Sequence, residues 1–109
     1  MHELGLTMEI VEIAVERAQG RSVKKLRVEV GKLAAVVPDS LRFCFDLCAK
    51  GTVLEGAELV LDWVPGRARC GSCGADVFLK VPYGQCTCGH SDLTLLSGHE
   101  LIVADMEVV

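Results

Sequence analysis

Apolar residues recur along the chain with the spacing of two amphipathic helices. Between residues 4 and 19 they lie three or four positions apart, and Gly20 ends the pattern. The predicted buried stripe of this first helix consists of Leu4, Met8, Val11, Val15 and Ala18. A second helix is predicted to start at Pro38-Asp39-Ser40 and to end before Gly51. Its predicted buried stripe consists of Leu41, Cys44, Phe45 and Cys48.

Other segments have the pattern of β-strands. Residues 24–30 alternate apolar and polar side chains, which predicts a strand with one solvated face. Residues 57–64 predict a second strand and residues 100–108 a last one. The inward-facing side chains of the first two strands are predicted to be Leu26, Val28, Val30, Leu59, Leu61 and Trp63.

The order of these elements predicts the fold class. It is α+β, with two helices packed on a small three-stranded β-sheet. Pro65-Gly66 marks a boundary, and a cysteine-bearing segment at residues 69–96 lies between the second and third strands. We therefore expect one domain made of residues 1–66 and 97–109, with residues 67–96 inserted as a separate lobe.

Composition and charge indicate what kind of core the protein has and which partners it is unsuited to bind. Half of the 109 residues are apolar and only 5% are aromatic, so the core must be mainly aliphatic. The net charge of −4 repels the negatively charged phosphate backbone, which argues against nucleic-acid binding.

No apolar stretch approaches the roughly 18 residues of a membrane span. Acidic residues at positions 3, 9 and 12 also interrupt any signal-like N-terminus, so we expect a cytoplasmic protein with reduced cysteines.

Two short-spaced cysteine pairs predict a zinc site. Cys70 and Cys73 form a CxxC pair, and Cys86 and Cys88 follow after positions 74–85. Facing turns would place four sulfurs around one tetrahedral zinc ion. The second pair is spaced by a single residue, so its side chains would point apart in an extended strand. His90 is therefore an alternative fourth ligand. Such a closed site is structural and does not imply catalysis.

The cysteines have other interpretations that we consider weaker. A CxxC sequence is also the dithiol motif of thioredoxin-like proteins, but that motif opens a helix after a buried strand. Here the motif follows Pro65-Gly66 and precedes another glycine, which favours a metal-binding turn. Cys44 and Cys48 share one helical face, where we expect them to behave as small apolar core residues.

The first residues predict a second metal site of a different character. The α-amine of Met1, a backbone amide and the imidazole of His2 can close two chelate rings around one ion, with the carboxylate of Glu3 beside them. Compact nitrogen-rich sites suit nickel(II) or copper(II). Asp39 is a candidate additional oxygen ligand, or else a carboxylate that stabilises the start of its helix. We assign no role to His99.

Short motifs spread over the whole chain form a recognisable set. They are Met1-His2-Glu3, Gly31-Lys32-Leu33, residues 38–45, Gly51-Thr52, Glu55-Gly56-Ala57, the two cysteine pairs, Gly98-His99-Glu100-Leu101 and Met106-Glu107-Val108. By this set the chain resembles the HypA/HybF family of nickel-insertion accessory proteins in nickel–iron hydrogenase maturation.

The resemblance implies a metallochaperone rather than an enzyme. It implies that nickel, Ni(II), is transported on Met1, His2 and Glu3, and that Zn(II) is held by the paired cysteines in a zinc-ribbon lobe. The expected partners are a nickel-handling GTPase and the hydrogenase large-subunit precursor, with urease as an alternative client in some members. A second copy of the chain, forming a homodimer, is a further candidate partner.

The chain departs from the family pattern at one position. Gln85 lies where the third cysteine of a second CxxC is expected, so Cys86 or His90 must complete the zinc site. The alternative function is a zinc-ribbon adaptor that delivers no metal. No spacing of serine, cysteine, histidine and aspartate suggests a catalytic site.

Overall fold

The computed structural model describes residues 3–109 as two helices and two small sheets. The elements are α1 (Glu3–Ala18), β1 (Val23–Gly31), a 3₁₀ turn (Lys32–Ala34), α2 (Pro38–Ala49), β2 (Glu58–Val64), β3 (Gly66–Cys70), β4 (Asp76–Leu79), β5 (Leu93–Ser97) and β6 (Leu101–Val108). One sheet has the order β2-β1-β6 and the other β4-β3-β5. This confirms the α+β class, with a cysteine-bearing lobe inserted before the last strand. The sequence pattern had not predicted the three strands inside the lobe.

The described residues divide into two compact units. The first contains the residues up to Glu29, together with Val36–Asp62 and Ile102–Val109. The second contains Val30–Ala35 and Trp63–Leu101. Both helices belong to the first unit, and both cysteine pairs of the lobe belong to the second. The division predicted from the sequence, at residues 66 and 97, stays a prediction.

Helix α1 buries a different stripe from the one predicted. Its buried residues are Thr7, Ile10, Val11, Ala14 and Ala18. Leu4, Met8 and Val15 are instead 51%, 58% and 36% exposed, so the prediction was wrong for these three. The helix carries two apolar stripes that share Val11 and Ala18, and packing buries the one with smaller side chains. Burial of Thr7 is tolerated because its hydroxyl donates to the backbone carbonyls of helix α1 at 2.9 Å.

Helix α2 and the first strands agree better with the sequence pattern. In α2, Leu41 and Phe45 are buried as predicted, whereas Cys44 and Cys48 are only half-buried. In β1 the three predicted inward residues are fully buried. Along β2 burial decreases from Leu59 to Trp63, which is 38% exposed, so the inward prediction was wrong for Trp63. Strand β2 lies at the edge of its sheet, where side chains are generally less covered.

A close backbone approach organises part of the second unit. The N–H of Gly31 donates to the carbonyl of Glu100 at 2.7 Å, and the N–H of Leu33 donates to the carbonyl of Gly98 at 2.8 Å. A Cβ atom on Gly31 would collide with the carbonyl group of Gly98. Gly98 itself has a φ of +118°, which favours glycine. Both glycines are therefore required by the local geometry.

Candidate metal centre

Three strands of the lobe bring four cysteines together. Strand β3 pairs antiparallel with both β4 and β5, and Cys70 ends β3 opposite Leu93 of β5. Cys73 lies in the turn before β4, and Cys86 and Cys88 lie between β4 and β5. The four sulfur atoms all lie within 4.8 Å of one another. Within residues 3–109, these four cysteines are close enough together to act as ligands of a single metal ion.

The distances between sulfur atoms fit a tetrahedral zinc ion. Cys70 Sγ lies 3.6 Å from Cys88 Sγ, and Cys73 Sγ lies 3.5 Å from Cys86 Sγ. Zinc–sulfur bonds of about 2.3 Å give tetrahedron edges of about 3.8 Å. The donor set is entirely thiol, which is the chemistry that structural zinc sites use. These residues therefore fit a zinc ion without rearrangement of the turns.

A tight turn explains how Cys86 and Cys88, which are separated by a single residue, can both point towards the cluster. The N–H of Gly89 donates to the carbonyl of Cys86, and the N–H of Cys86 donates to the carbonyl of His90, both at 2.9 Å. Gly89 has a φ of +95°, which a side chain would disfavour. The chain therefore reverses between Cys86 and His90, and the sulfurs of both Cys86 and Cys88 reach the cluster.

Gln85, at the position where the family pattern expects a cysteine, has a different role here. Its Nε2 donates to the carbonyl of Gly89 at 2.6 Å and so closes the same turn. The sequence could not assign this role, because nothing in the pattern shows which backbone carbonyl the amide reaches.

Backbone amides near the cysteines hydrogen-bond to the sulfur atoms. The N–H groups of Cys73 and Ser72 donate to Cys70 Sγ and lower the pKa of Cys70 to about 6. The N–H of Cys88 donates to Cys86 and, with the Cys73 thiol, lowers the pKa of Cys86. Such donors favour the thiolate form, which is the form that binds metal.

The other two thiols behave differently in the same cluster. The N–H of Ala75 acts to lower the pKa of Cys73, but the Cys86 thiol and burial outweigh it and raise that pKa. At Cys88 the N–H of His90 acts in the same lowering direction. Burial and the neighbouring sulfurs outweigh it and raise the pKa of Cys88 to about 12. Four thiolates cannot be adjacent without a cation, because each negative charge disfavours the next.

His90 lies beside the cluster rather than within it. Its Nδ1 is 3.4 Å from Cys88 Sγ, and the side chain is exposed. Since all four cysteine sulfurs already lie within mutual reach, the geometry favours a four-cysteine ligand set, with His90 at its edge.

The predicted nickel site is only partly within the described residues. Met1 and His2 lie outside them, whereas Glu3 begins α1 and is half-buried. Glu3 Oε2 accepts a hydrogen bond from the N–H of Val37 at 3.1 Å. Val37 immediately precedes α2, and Asp39 is exposed in the first turn of that helix. The hydrogen bond thus joins the start of α1 to the segment that carries Asp39.

The remaining candidate residues are His99, Cys44 and Cys48. His99 is exposed and follows Gly98 in the second unit. Cys48 is half-buried, and its sulfur lies 3.6 Å from the hydroxyl of Thr7. The expectation that Cys44 and Cys48 are core residues therefore holds only in part. Neither α-helix between residues 3 and 109 has the length and apolar character that a membrane span requires.

Comparison with known proteins finds one family over almost the whole chain. The family model described as hydrogenase/urease nickel incorporation, metallochaperone, hypA, matches residues 1–108. The chain is 47% identical over 108 residues to the hydrogenase maturation factor HypA of Nostoc punctiforme, covering 99% of this chain and 96% of that protein. It is 43% identical over 109 residues to the HypA of Geobacter metallireducens, covering 99% of both chains.

Solved structures show the same fold. The solution structure of the Ni metallochaperone HypA from Helicobacter pylori matches with a TM-score of 0.75 at 18% identity, covering 100% of this chain and 98% of that chain. A second solution structure, of HypA protein, matches with a TM-score of 0.59 at 17% identity, covering 97% and 92%.

Proposed function

We propose that this chain, which belongs to the HypA family of hydrogenase/urease nickel-incorporation metallochaperones, binds nickel(II) through its N-terminus and delivers it to the large-subunit precursor of nickel–iron hydrogenase. The observation that carries the proposal is the family match over residues 1–108, on a chain that starts Met1-His2-Glu3. In this proposal nickel is the cargo, and the protein is a carrier rather than an enzyme.

The chemistry of the first residues supports nickel binding. The α-amine of Met1 has a reference pKa of about 7.7, so a metal ion can displace its proton near neutral pH. The imidazole of His2 is a good nickel ligand in its neutral form. Glu3 supplies a carboxylate next to them, and its hydrogen bond with Val37 links it to the segment that carries Asp39, the candidate additional oxygen ligand. Terminal ligands are also open to exchange, as release to a client requires.

The cysteine cluster supports a structural zinc ion. Cys70, Cys73, Cys86 and Cys88 would hold it, and His90 is the alternative ligand. When bound, zinc supplies a cross-link between the two cysteine turns and leaves no open position for a substrate. The backbone amides that hydrogen-bond to the sulfurs hold the four thiolates in place around that charge. The cluster therefore supports a stabilising role for the lobe and no catalytic one.

Partners, location and domain roles complete the proposal. The chain would work in the cytoplasm with a nickel-handling GTPase of hydrogenase maturation, and urease is an alternative client. Residues 1–66 with 97–109 would form the nickel-binding domain, and residues 67–96 the zinc-ribbon domain. A homodimer is a candidate assembly, and sedimentation of the purified protein measures it.

Nickel titration by calorimetry tests the site directly. Untagged, zinc-loaded protein is expected to bind about one nickel ion per chain. His2→Ala and a version extended by two residues before Met1 should each lose this binding, because one removes the imidazole and the other moves the α-amine. His99→Ala is the matched control, since His99 is exposed and is not a predicted ligand.

The outcomes separate the proposal from its alternative. Loss of binding in both terminal variants, with binding kept in His99→Ala, supports the terminal amine–imidazole site. Equal nickel binding in all four proteins contradicts it and leaves the zinc-ribbon adaptor. Delivery is then measured as transfer of nickel from the loaded chain to purified precursor in the presence of a competing chelator. Transfer no faster than from free nickel would contradict the delivery step.

A further inference from the structure

The exposed stripe of α1 forms one wall of an apolar groove. Leu4, Met8 and Val15 lie on the side of the helix that the core does not cover. The groove has a volume of about 550 Å³. It is lined by Met8, Val11, Glu12, Val15, Cys48 and Thr52. Its second wall therefore comes from α2 and the turn that follows it, within the first unit.

The apolar residues along this side of α1 have the spacing of a helix-packing seam. The positions of Leu4, Met8, Val11 and Val15 follow one another at intervals of four, three and four. This is the alternation of the a and d positions of a heptad, whose side chains receive the side chains of a facing helix. Helix α1 packs its own core through Thr7, Ile10 and Ala14. Val11 is also buried and belongs to both stripes, whereas the other three seam residues are exposed and are not needed for the core.

A row of acidic residues borders the seam. Glu9, Glu12 and Glu16 are all exposed and lie three and four positions apart, so they form one line along α1. Glu12 lines the groove itself and sits between Met8 and Val15 in helical spacing. The basic residue next to this row, Arg17, is engaged with another group, because its Nη1 donates to the carbonyl of Val103 at 3.0 Å.

We propose that this groove docks an amphipathic helix of a partner protein, whose apolar seam is flanked by lysine and arginine. The apolar lining supplies burial, and the acidic row selects a basic flank and speeds association. A second copy of this chain fits less well, because its own acidic row would face the first. The inference goes beyond the proposed function and does not rest on it, since none of the lining residues is a predicted metal ligand.

Designed peptides test the proposal on the full, zinc-loaded chain without nickel. The probes are helical peptides of about three heptads with leucine at the a and d positions. One carries lysine at the flanking positions, one carries glutamate there, and one has the lysine composition in scrambled order. Binding is measured by calorimetry and mapped by amide chemical shifts. The lysine peptide is expected to bind one to one, and to bind more weakly as salt is added.

Variants connect that binding to the groove. Met8→Glu with Val15→Glu should weaken the lysine peptide by about tenfold or more, because both side chains are exposed seam positions. Glu12→Lys with Glu16→Lys should reverse the preference towards the glutamate peptide while leaving the packing untouched. Ile102→Glu is the matched control, since Ile102 is also an exposed apolar residue of the first unit but does not line the groove.

Each contrary result overturns the inference. Absence of binding, equal binding of the scrambled peptide, or equal binding of the glutamate peptide to the unchanged protein would do so. Unchanged affinity in Met8→Glu with Val15→Glu would place the peptide elsewhere. A dimer in sedimentation measurements that Met8→Glu abolishes would mean that a second copy occupies the groove.

Discussion

The carboxylate of Glu3 accepts a hydrogen bond from the backbone N–H of Val37 at 3.1 Å. This bond joins the first turn of α1 to the residue before α2, so the start of one helix is anchored on the start of the other. The fold therefore holds Glu3 through the same carboxylate that is proposed to bind nickel.

Loss of this anchor should be measurable as lower stability. Glu3→Ala is expected to reduce the free energy of unfolding by about 1 kcal/mol, because it removes one hydrogen bond and an acidic residue at a helix N-terminus. Urea unfolding of the zinc-loaded protein measures it. Glu9→Ala is the control, since Glu9 is exposed on the same helix and should have little effect. Equal stability of the two variants would contradict the anchoring role.

Cobalt substitution distinguishes Cys86 from His90 as the zinc ligand. If the four-cysteine set is correct, His90→Ala should keep the tetrahedral thiolate spectrum of the unchanged protein. Cys86→Ser should lose part of the sulfur-to-cobalt absorption and lower zinc affinity by about 10- to 100-fold or more. The opposite pattern, with a changed spectrum only in His90→Ala, would assign the fourth position to histidine.

Removal of zinc should affect the lobe more than the helical unit. The sulfurs are drawn together against mutual repulsion of their thiolates, so a chelator is expected to disorder residues around the two cysteine turns. Amide chemical shifts before and after chelation measure this. Residues of α1 and α2 should shift least, because Phe45, Leu41 and their neighbours form a buried core independent of any metal. Complete loss of dispersed signals would show instead that the whole fold depends on zinc.

Two glycines should respond in opposite directions to the same substitution. Gly31→Ala is expected to destabilise the protein by about 2 kcal/mol or more, because its Cβ would collide with the Gly98 carbonyl. Gly5→Ala should stabilise it by about 0.5–1 kcal/mol, since Gly5 lies within α1 and a Cβ there meets nothing within 4 Å. Thermal and urea unfolding measure both, and a neutral Gly31→Ala would contradict the close approach.

An ion-pair group on the sheet should give stability that depends on pH. Arg27 donates to both carboxylate oxygens of Asp105 and to Asp62 Oδ2 at 2.6 Å. The hydrogen bond from Arg27 lowers the pKa of Asp105 below its ordinary value of 3.8. A carboxyl with a lowered pKa in the folded state stabilises the protein above the unfolded pKa and loses that effect as the pH falls through the folded value.

The stability difference between the unchanged protein and Asp105→Asn should therefore be largest at neutral pH. It should shrink as the pH falls below about 4, where Asp105 first takes up its proton in the unfolded state, and should disappear once the folded protein is protonated as well. Urea unfolding at several pH values measures this. Glu107→Gln is the control, because Glu107 forms only an exposed pair with Lys24 at 3.8 Å. A difference that stays constant down to pH 3 would contradict the contribution of the charge.

Local sequence patterns were sufficient for both helices and for the three strands of the first sheet, but not for the three strands of the lobe. The strand over residues 24–30 was predicted correctly because its alternation puts Leu26 and Val28 on one face, which the structure buries fully. The pair spacing of Cys70 and Cys73 likewise indicated a turn that presents two sulfurs to one point. These features depend on neighbours in the sequence, and so the sequence alone carries them.

Only the tertiary structure decided which of two apolar stripes α1 buries, and how Cys86 joins the cluster. The stripe with Met8 and the stripe with Ile10 have the same helical period, so the choice depends on the shape of α2 and the sheet. The turn at Gly89 is fixed by hydrogen bonds that no residue spacing reveals. Periodicity and motif spacing are properties of the chain, whereas burial and convergence depend on contacts between segments distant in sequence.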